Sequence, residues 1–596
     1  PPLRVNHNPD SLRRVANAGM AQLEDGRLMV AMLEQVDTSA RHGLWARIVD
    51  PATSKAGEDE RLDVDADDLT ASSALSLFSI PGGALGVLYG GSHLRVYASG
   101  KWSPDLGGTL ALAGKGLSYT AAPSGQVLVV SRNTSGAPYG QAVVFRPDEG
   151  GVRGSWSTPA ALDLDGASGV PRIDPMVLPD GRFLTLIWQG AGGPAIRIRS
   201  LSGAWSTPFA KAEIGALDSS PSYRLLDDGT VVLVALEGTG DTRRAVTSTW
   251  SPTDGWSTAR LLSKPTADTN GVIPIGNGPF LYSVSGTEVE FVAWVAGCSG
   301  AAKDCEFRAV TRRYSGGAWK DPVDLAVGSM GRVGAEGAFV TGVDGSSPIV
   351  GRVSEGNATI SIRARLDATT FKPTVTLGKD SPYFGDGTSI TARFYGGWQG
   401  LWTLTSRQSG TTSLPTAIGK IDLSSDKVSW GLVTAGAFEL RGFGDSYPMA
   451  LGSGAFTLGV NNATDGSSSS PIIAYVAPAG GSPEAGPAMS SDEKSASFAN
   501  VPRAAPRLNR DRSAVYVVSA ALADTSATGN RLRAYAFNGV GGTVPKILAN
   551  ESRAPRAFTD GALSYGCGGA ILYAIDPVDG SHALEVVFVK EEPVGG

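Results

Sequence analysis

The chain is short of charge. Asp, Glu, Lys and Arg make up 18% of its 596 residues, against about 25% in ordinary soluble domains. Its net charge of −6 is spread thinly, with no long run of one sign. That argues against nucleic acid or an anionic membrane surface as partner. Histidine is scarcer still: His7, His42, His93 and His582 are the whole set. None pairs at zinc-ligand spacing, and there is no His-Glu-x-x-His or Cys-x-x-Cys. A Gly-x-Ser-x-Gly elbow and a Gly-Lys-Ser/Thr phosphate loop are also missing, which weighs against hydrolytic and nucleotide chemistry. No stretch approaches the roughly 18 apolar residues of a membrane helix. The opening Pro1-Pro2-Leu3-Arg4 carries no Met and no signal-peptide pattern, which fits a processed or a trimmed chain.

What the chain has is glycine, 78 residues or about 13%, where about 7% is usual. Each would cost about 1 kcal/mol inside a helix. The glycines follow no G-X-Y period, which excludes collagen. With 42% apolar residues, the chain is also too hydrophobic for disorder. A large, turn-rich, all-β protein remains.

The glycines recur at two turns. The first appears as Leu23-Glu24-Asp25-Gly26-Arg27, Leu178-Pro179-Asp180-Gly181-Arg182 and Leu226-Asp227-Asp228-Gly229-Thr230. Looser copies stand at Pro81-Gly82-Gly83 and Pro123-Ser124-Gly125. Asp-Gly between β-prone runs signals a hairpin, because glycine accepts the positive φ the corner needs. The second turn reads Gly100-Lys101-Trp102-Ser103-Pro104, Gly154-Ser155-Trp156-Ser157-Thr158-Pro159, Gly203-Ala204-Trp205-Ser206-Thr207-Pro208, Gly255-Trp256-Ser257-Thr258 and Gly317-Ala318-Trp319-Lys320-Asp321-Pro322. Its tryptophans stand 54, 49, 51 and 63 residues apart, and later copies are decayed.

A period near 50 with four short strands per unit is the mark of a β-propeller. About eleven units are legible, centred on residues 30, 85, 128, 184, 232, 285, 345, 395, 457, 516 and 570. Eleven four-stranded blades exceed an ordinary ring. The expectation is therefore two packed propellers, residues 1–330 and 331–596, with a single large ring as the alternative. Residues 477–500, rich in Pro, Gly, Ser and Ala, read as a surface loop. The chain ends, joined tail to head, imitate a Trp turn. The N-terminal strand is thus expected to complete the last blade and remove a sheet edge.

These Gly-x-Trp-Ser-x-Pro turns resemble those of secreted bacterial propellers of the sialidase-like and lectin-like kind. The resemblance covers residues 75–330 well and the rest weakly, and it implies fold more than activity. The Asp-box order is scrambled in Ser251-Pro252-Thr253-Asp254-Gly255-Trp256, and Pro171-Arg172-Ile173-Asp174-Pro175 matches the sialidase Arg-Ile-Pro signature only superficially. No arginine triad carries over. The second aromatic that lectin blades repeat is mostly missing.

Candidate sites are few. Cys298 and Cys305 flank a glycine-rich loop and read as a stapling disulfide, which implies an oxidising compartment; Cys567 reads as a small buried filler. Asp63, Asp65 and Asp67 alternate as in oxygen-ligand calcium loops, but the Gly at position six and the Glu at position twelve are absent. A solvated acidic loop is the better reading, and no cofactor is expected. The repeated Trp102, Trp156, Trp205, Trp256 and Trp319 read as inter-blade packing; Trp398, off the repeat, is the ligand-binding candidate. Sequons at Asn133, Asn357, Asn462 and Asn550 read as surface loops. The leading functional expectation is a non-enzymatic extracellular or cell-surface propeller, a binding or structural subunit whose partner is a protein in a surface assembly. A glycan-binding lectin is the alternative. A glycoside hydrolase or lyase is the third, needing two carboxylates about 5–10 Å apart in an axial pocket.

Overall fold

The computed structural model describes backbone and side chains over most of residues 3–262, 281–291 and 312–321. For the remaining strands, up to Phe588, it describes backbone alone. Within those residues the chain is all-β: antiparallel sheets of four or five strands, eleven in number, with one short 3₁₀ turn at Gly151–Arg153. The first six sheets span residues 15–61, 75–102, 118–161, 172–210, 222–261 and 273–329. Five more follow to residue 588. In the first six, the first four strands pair in chain order as a meander, and the fifth strand of the third, fifth and sixth sheets pairs with the third strand. Such short, local connections suit antiparallel pairing. The sheet architecture is that of propeller blades.

The Asp-Gly corner shows why the meander turns where it does. Gly26 N donates to Leu23 O (3.0 Å) and Leu23 N to Arg27 O (2.8 Å). Gly26, Gly181 and Gly229 sit at φ of 84°, 83° and 84°, a region closed to most L-residues. The Asp carboxylate braces the corner: Asp25, Asp180 and Asp228 each accept from the backbone N–H two residues on, at 2.8–3.0 Å. Arg27 and Arg182 also close back onto their aspartates at 2.7 Å. The Asp25 carboxyl is held below its usual range by that Arg27 hydrogen bond.

The Trp-Ser turn has its own device. After the tryptophan the outer strand leaves the ladder, and the serine hydroxyl takes over as acceptor. Val96 N donates to Ser103 Oγ at 3.0 Å, Val144 N to Ser157 Oγ at 2.9 Å, Ile198 N to Ser206 Oγ at 3.1 Å and Thr249 N to Ser257 Oγ at 2.9 Å. Each serine N–H returns a bond to the carbonyl of that same residue, at 2.7–2.9 Å. Ser206→Ala is accordingly expected to strand the buried Ile198 N–H and cost about 1–3 kcal/mol. Urea unfolding reads this, with Ser206→Thr as the variant that keeps the hydroxyl.

The core lies between sheets. The central strands are buried on both faces, so Val127, Leu128, Val129 and Val130 form an unbroken apolar run. Val127 and Val129 pack with Val96 and Leu94 of the second sheet. Leu128 and Val130 pack with Ile173, Phe183 and Ile187 of the fourth. Each turn tryptophan enters the interface with the preceding sheet: Trp102 with the first, Trp156 with the second, Trp205 with the third, Trp256 with the fourth and Trp319 with the fifth. An aromatic burying ~150–250 Å² contributes about 4–6 kcal/mol of transfer free energy. First strands of neighbouring sheets lie against one another, as Val15–Gln22 does on Leu75–Ile80 and Ser118–Ala121 on Arg172–Val177. They form the narrow side of each wedge.

The chain ends meet. Leu3–Arg4 pairs antiparallel with Ala583–Phe588, in register Leu3↔Val586 and Arg4↔Glu585. The stretch 477–500 departs from a plain loop: Glu484–Ala488 is a strand paired with Ile472–Pro478. It is the terminal strand of its sheet, where an outward N–H is dispensable and Pro487 is tolerated.

Candidate functional site

The expected site residues fall in different places. Asp63 is 1% exposed and accepts from Arg61 Nε at 2.9 Å and Nη2 at 3.3 Å, so an arginine occupies the carboxylate. Asp65 and Asp67 lie outside the described residues. Among the described residues no group of three His, Cys, Asp or Glu side chains stands ready to hold a metal. Cys298 and Cys305 end two paired strands and are direct register partners; their side chains lie outside the description, as does that of Trp398, whose backbone pairs with Leu401. Cys567 lies outside it altogether.

Sequence reading missed two polar clusters. His93 Nδ1 lies 2.7 Å from Asp105 Oδ2, with its ring stacked on buried Tyr89 at 5.1 Å. Burial raises the Tyr89 hydroxyl to about 12, and Asp105 adds to the effect. On the narrow side of the fourth sheet Arg172 pairs with Asp174 at 2.9 Å. Burial pushes the Asp174 carboxyl up and raises Tyr223 to about 12, with help from the Asp174 charge. This is one carboxylate tied to an arginine, rather than a carboxylate pair.

A cleft among the described residues lies elsewhere, between the fifth and sixth sheets. It measures about 370 Å³, counting solvent at its mouth. One wall is hydroxyl-bearing, with Thr247, Ser248 and Thr249 from Arg244–Ser251 and Ser257 and Thr258 from the Trp-Ser turn. Arg260, on the outer strand Arg260–Leu261, stands at the rim. The other wall is aromatic. Tyr314 and Trp319 are register partners in the sixth sheet, with ring centroids 5.5 Å apart at 66°. Gly317, at φ 76°, turns the chain between them with open space beside it. Burial raises the Tyr314 hydroxyl, and the Asp228 charge adds to it.

Trp319 also differs from two of its counterparts. Trp156 Nε1 donates to Pro104 O and Trp256 Nε1 to Phe209 O, both at 2.8 Å across to the preceding sheet. Trp319 Nε1 is buried with no acceptor among the described residues. This turn also carries Lys320 where the other four carry serine. Sequence shows that substitution and the long 63-residue spacing before it, the two signals that set this unit apart.

No protein-family model matches the chain, and no curated protein sequence does. Similar solved structures include the BP39L lectin of Burkholderia pseudomallei, 13% identical over 60% of this chain and 96% of that one, with a TM-score of 0.28. The polysaccharide lyase Uly1 is 9% identical over 68% and 89%, with a TM-score of 0.26. The NanB sialidase of Streptococcus pneumoniae is 10% identical over 77% and 67%, with a TM-score of 0.22. Similarity this low bears on neither ligand nor activity.

Proposed function

We propose that this chain is a non-enzymatic, secreted β-propeller whose Trp319 cleft binds a saccharide. The observation that carries the reading is the cleft itself: an aromatic wall facing a wall of hydroxyls with an arginine at the rim. A pyranose has an apolar C–H face for an aromatic ring and hydroxyls for polar partners, which is the usual division of labour in a small-ligand site. The other turn tryptophans support the reading by contrast, since two of them spend their N–H on the preceding sheet. The test is a glycan array with the full chain and with Trp319→Phe, which keeps the packing against Tyr314. Binding that falls at least about tenfold in the variant supports the reading; an array without hits sinks it.

Two finer points belong to the same proposal. The sheets are read as eleven blades of one ring rather than two propellers divided near residue 330. Support comes from Leu3–Arg4 in the last sheet and from strand Val15–Gln22 of the first sheet lying on that same sheet. Class-averaged electron micrographs distinguish one ring from two. Cys298 and Cys305 are read as a disulfide, because facing Cα atoms of an antiparallel pair stand about 4.5–5.5 Å apart, inside the range a disulfide spans. An intact mass unchanged by reduction would remove the bridge.

A protein partner is the second reading. Four exposed large apolar residues favour it, on the outer side of three neighbouring sheets. Val152 (89% exposed) and Leu201 (78%) each precede a turn tryptophan by four residues, and Phe209 and Leu261 lie on outermost strands. Repetition at one place sets them apart from the scattered apolar residues of any surface. Capture of a partner from the source that is lost in Leu201→Ser and kept in Trp319→Phe would favour this reading over the glycan.

A further inference from the structure

One end of the third, fourth and fifth sheets carries an apolar stripe. The antiparallel meander brings the corner before the second strand and the turn after the third to the same end. Val127 and Phe145, Phe183 and Arg199, and Val231 and Trp250 are the register partners that mark it. Val152, Leu201 and Pro252 each stand four residues before the turn tryptophan of their sheet, and all three are exposed. The stripe is bounded on both sides. The same place holds Ala98 in the second sheet, which is buried, and Ser315 in the sixth, which bonds Glu288. The sheets also abut at this end. A Cβ on Gly229 of the fifth corner would lie 3.5 Å from Pro179 of the fourth corner and 3.6 Å from Pro252. One on Gly203 of the fourth turn would lie 2.9 Å from Arg146 of the third sheet. A single exposed apolar residue is ordinary, but one at the same turn of three sheets in a row makes a patch.

The exposed charge around the stripe is of one sign. Asp148, Asp227, Asp228 and Asp254 lie in these corners and turns, are exposed, and make no ion pair among the described residues. Glu149 and Asp180 are the carboxylates held here, by Arg146 and Arg182. The other arginines offset little: Arg153 leans on Glu60 of the first sheet at 3.7 Å, and Arg199 is buried against Gly203. A partner that covers the stripe brings its own charges close to these aspartates, and like charges juxtaposed at a contact are costly. A second copy of this chain, with net charge −6, is a poor match, as is any polyanion.

We infer that this end of the third to fifth sheets docks a basic segment of a partner protein. Its large apolar side chains sit on the stripe, and its lysines or arginines reach the four unpaired aspartates. This rests on the protein-partner reading and is independent of the Trp319 cleft. The apolar contacts supply affinity, while the exposed charges select the partner and speed its arrival.

The experiment is fluorescence anisotropy with the full chain and three labelled peptides of equal length, built from lysine and leucine, from glutamate and leucine, and from lysine and serine. The lysine-leucine peptide is expected to bind about tenfold to a hundredfold more tightly than either of the others, and its lead over the glutamate peptide should shrink with added salt. Leu201→Ser should weaken it about tenfold, the worth of one apolar anchor. Asp148→Asn with Asp227→Asn should weaken it about threefold to tenfold, since exposed pairs are worth little each. All three positions are exposed, so melting should not move. Trp319→Phe should leave the affinity unchanged. Equal binding of the lysine-leucine and glutamate-leucine peptides overturns the inference and leaves the protein-partner reading standing. Binding that survives Leu201→Ser overturns the assigned surface. No binding by any of the three overturns both.

Discussion

Gly82→Ala is expected to cost about 3–5 kcal/mol, a loss reached by few single substitutions. Gly82 sits at φ 94°, where an L-residue costs roughly 1–2 kcal/mol on its own. Its missing Cβ would also fall deep inside contact distance of the Ala121 carbonyl oxygen, a rigid backbone atom of the third sheet. The two segments are already clamped, with Ala121 N donating to Pro81 O at 2.7 Å. The turn of one sheet and the inner strand of the next must therefore part. Gly91→Ala is the matched control. Gly91 has φ 77° and nothing within 4 Å of its Cβ position, so only the dihedral cost remains. Urea midpoints of the two variants separate steric from conformational cost; equal losses would refute the clamp.

Deleting residues 1–7 should be comparably severe, at roughly 4–7 kcal/mol. Val5 is fully buried with Val15, Leu28 and Trp45 of the first sheet, and burial of such a side chain is worth about 1.5–3 kcal/mol. His7 stacks on Trp45 at 4.4 Å and 16° and its ring pairs with Asp59, adding about 0.5–1.5 kcal/mol for the stack. His7 N also donates at 2.8 Å to Glu34, which is buried; a hydrogen bond to a charged group is worth about 1.5–3 kcal/mol. The deletion further bares the edge of strand Ala583–Phe588, an invitation to self-association. Unfolding curves and light scattering report both effects. An unchanged midpoint with a monodisperse sample would show that the N-terminal segment is dispensable. His7→Ala isolates the share due to the stack and the pair.

The hairpin corners were legible because their cause is local. Asp25-Gly26 and Asp180-Gly181 state their own φ requirement, and the Trp-Ser turns state a period. The role of Ser103, Ser157, Ser206 and Ser257 was not read, although the letter recurs in four of five turns. Its partner, the N–H of residues such as Val144 and Ile198, stands seven to thirteen positions away across a hairpin. The fate of Asp63 depended on Arg61 closing over it, a choice between ligand and counter-ion that spacing does not decide. The cleft was least legible. Arg260 and Tyr314 come from neighbouring sheets and meet only when those sheets pack. A strand holding Pro487 was read as loop because an edge strand relaxes the very rule that composition relies on.

The two-sided burial of the central strands has a consequence for inheritance. A sheet whose Val127 and Val129 need one neighbour and whose Leu128 and Val130 need another has no surface of its own to retire behind. Its stability is a nearest-neighbour quantity, as in repeat arrays generally. Lineages of such a chain can gain or lose whole units at the corners, while the letters of a central strand drift only in step with the strands on either side.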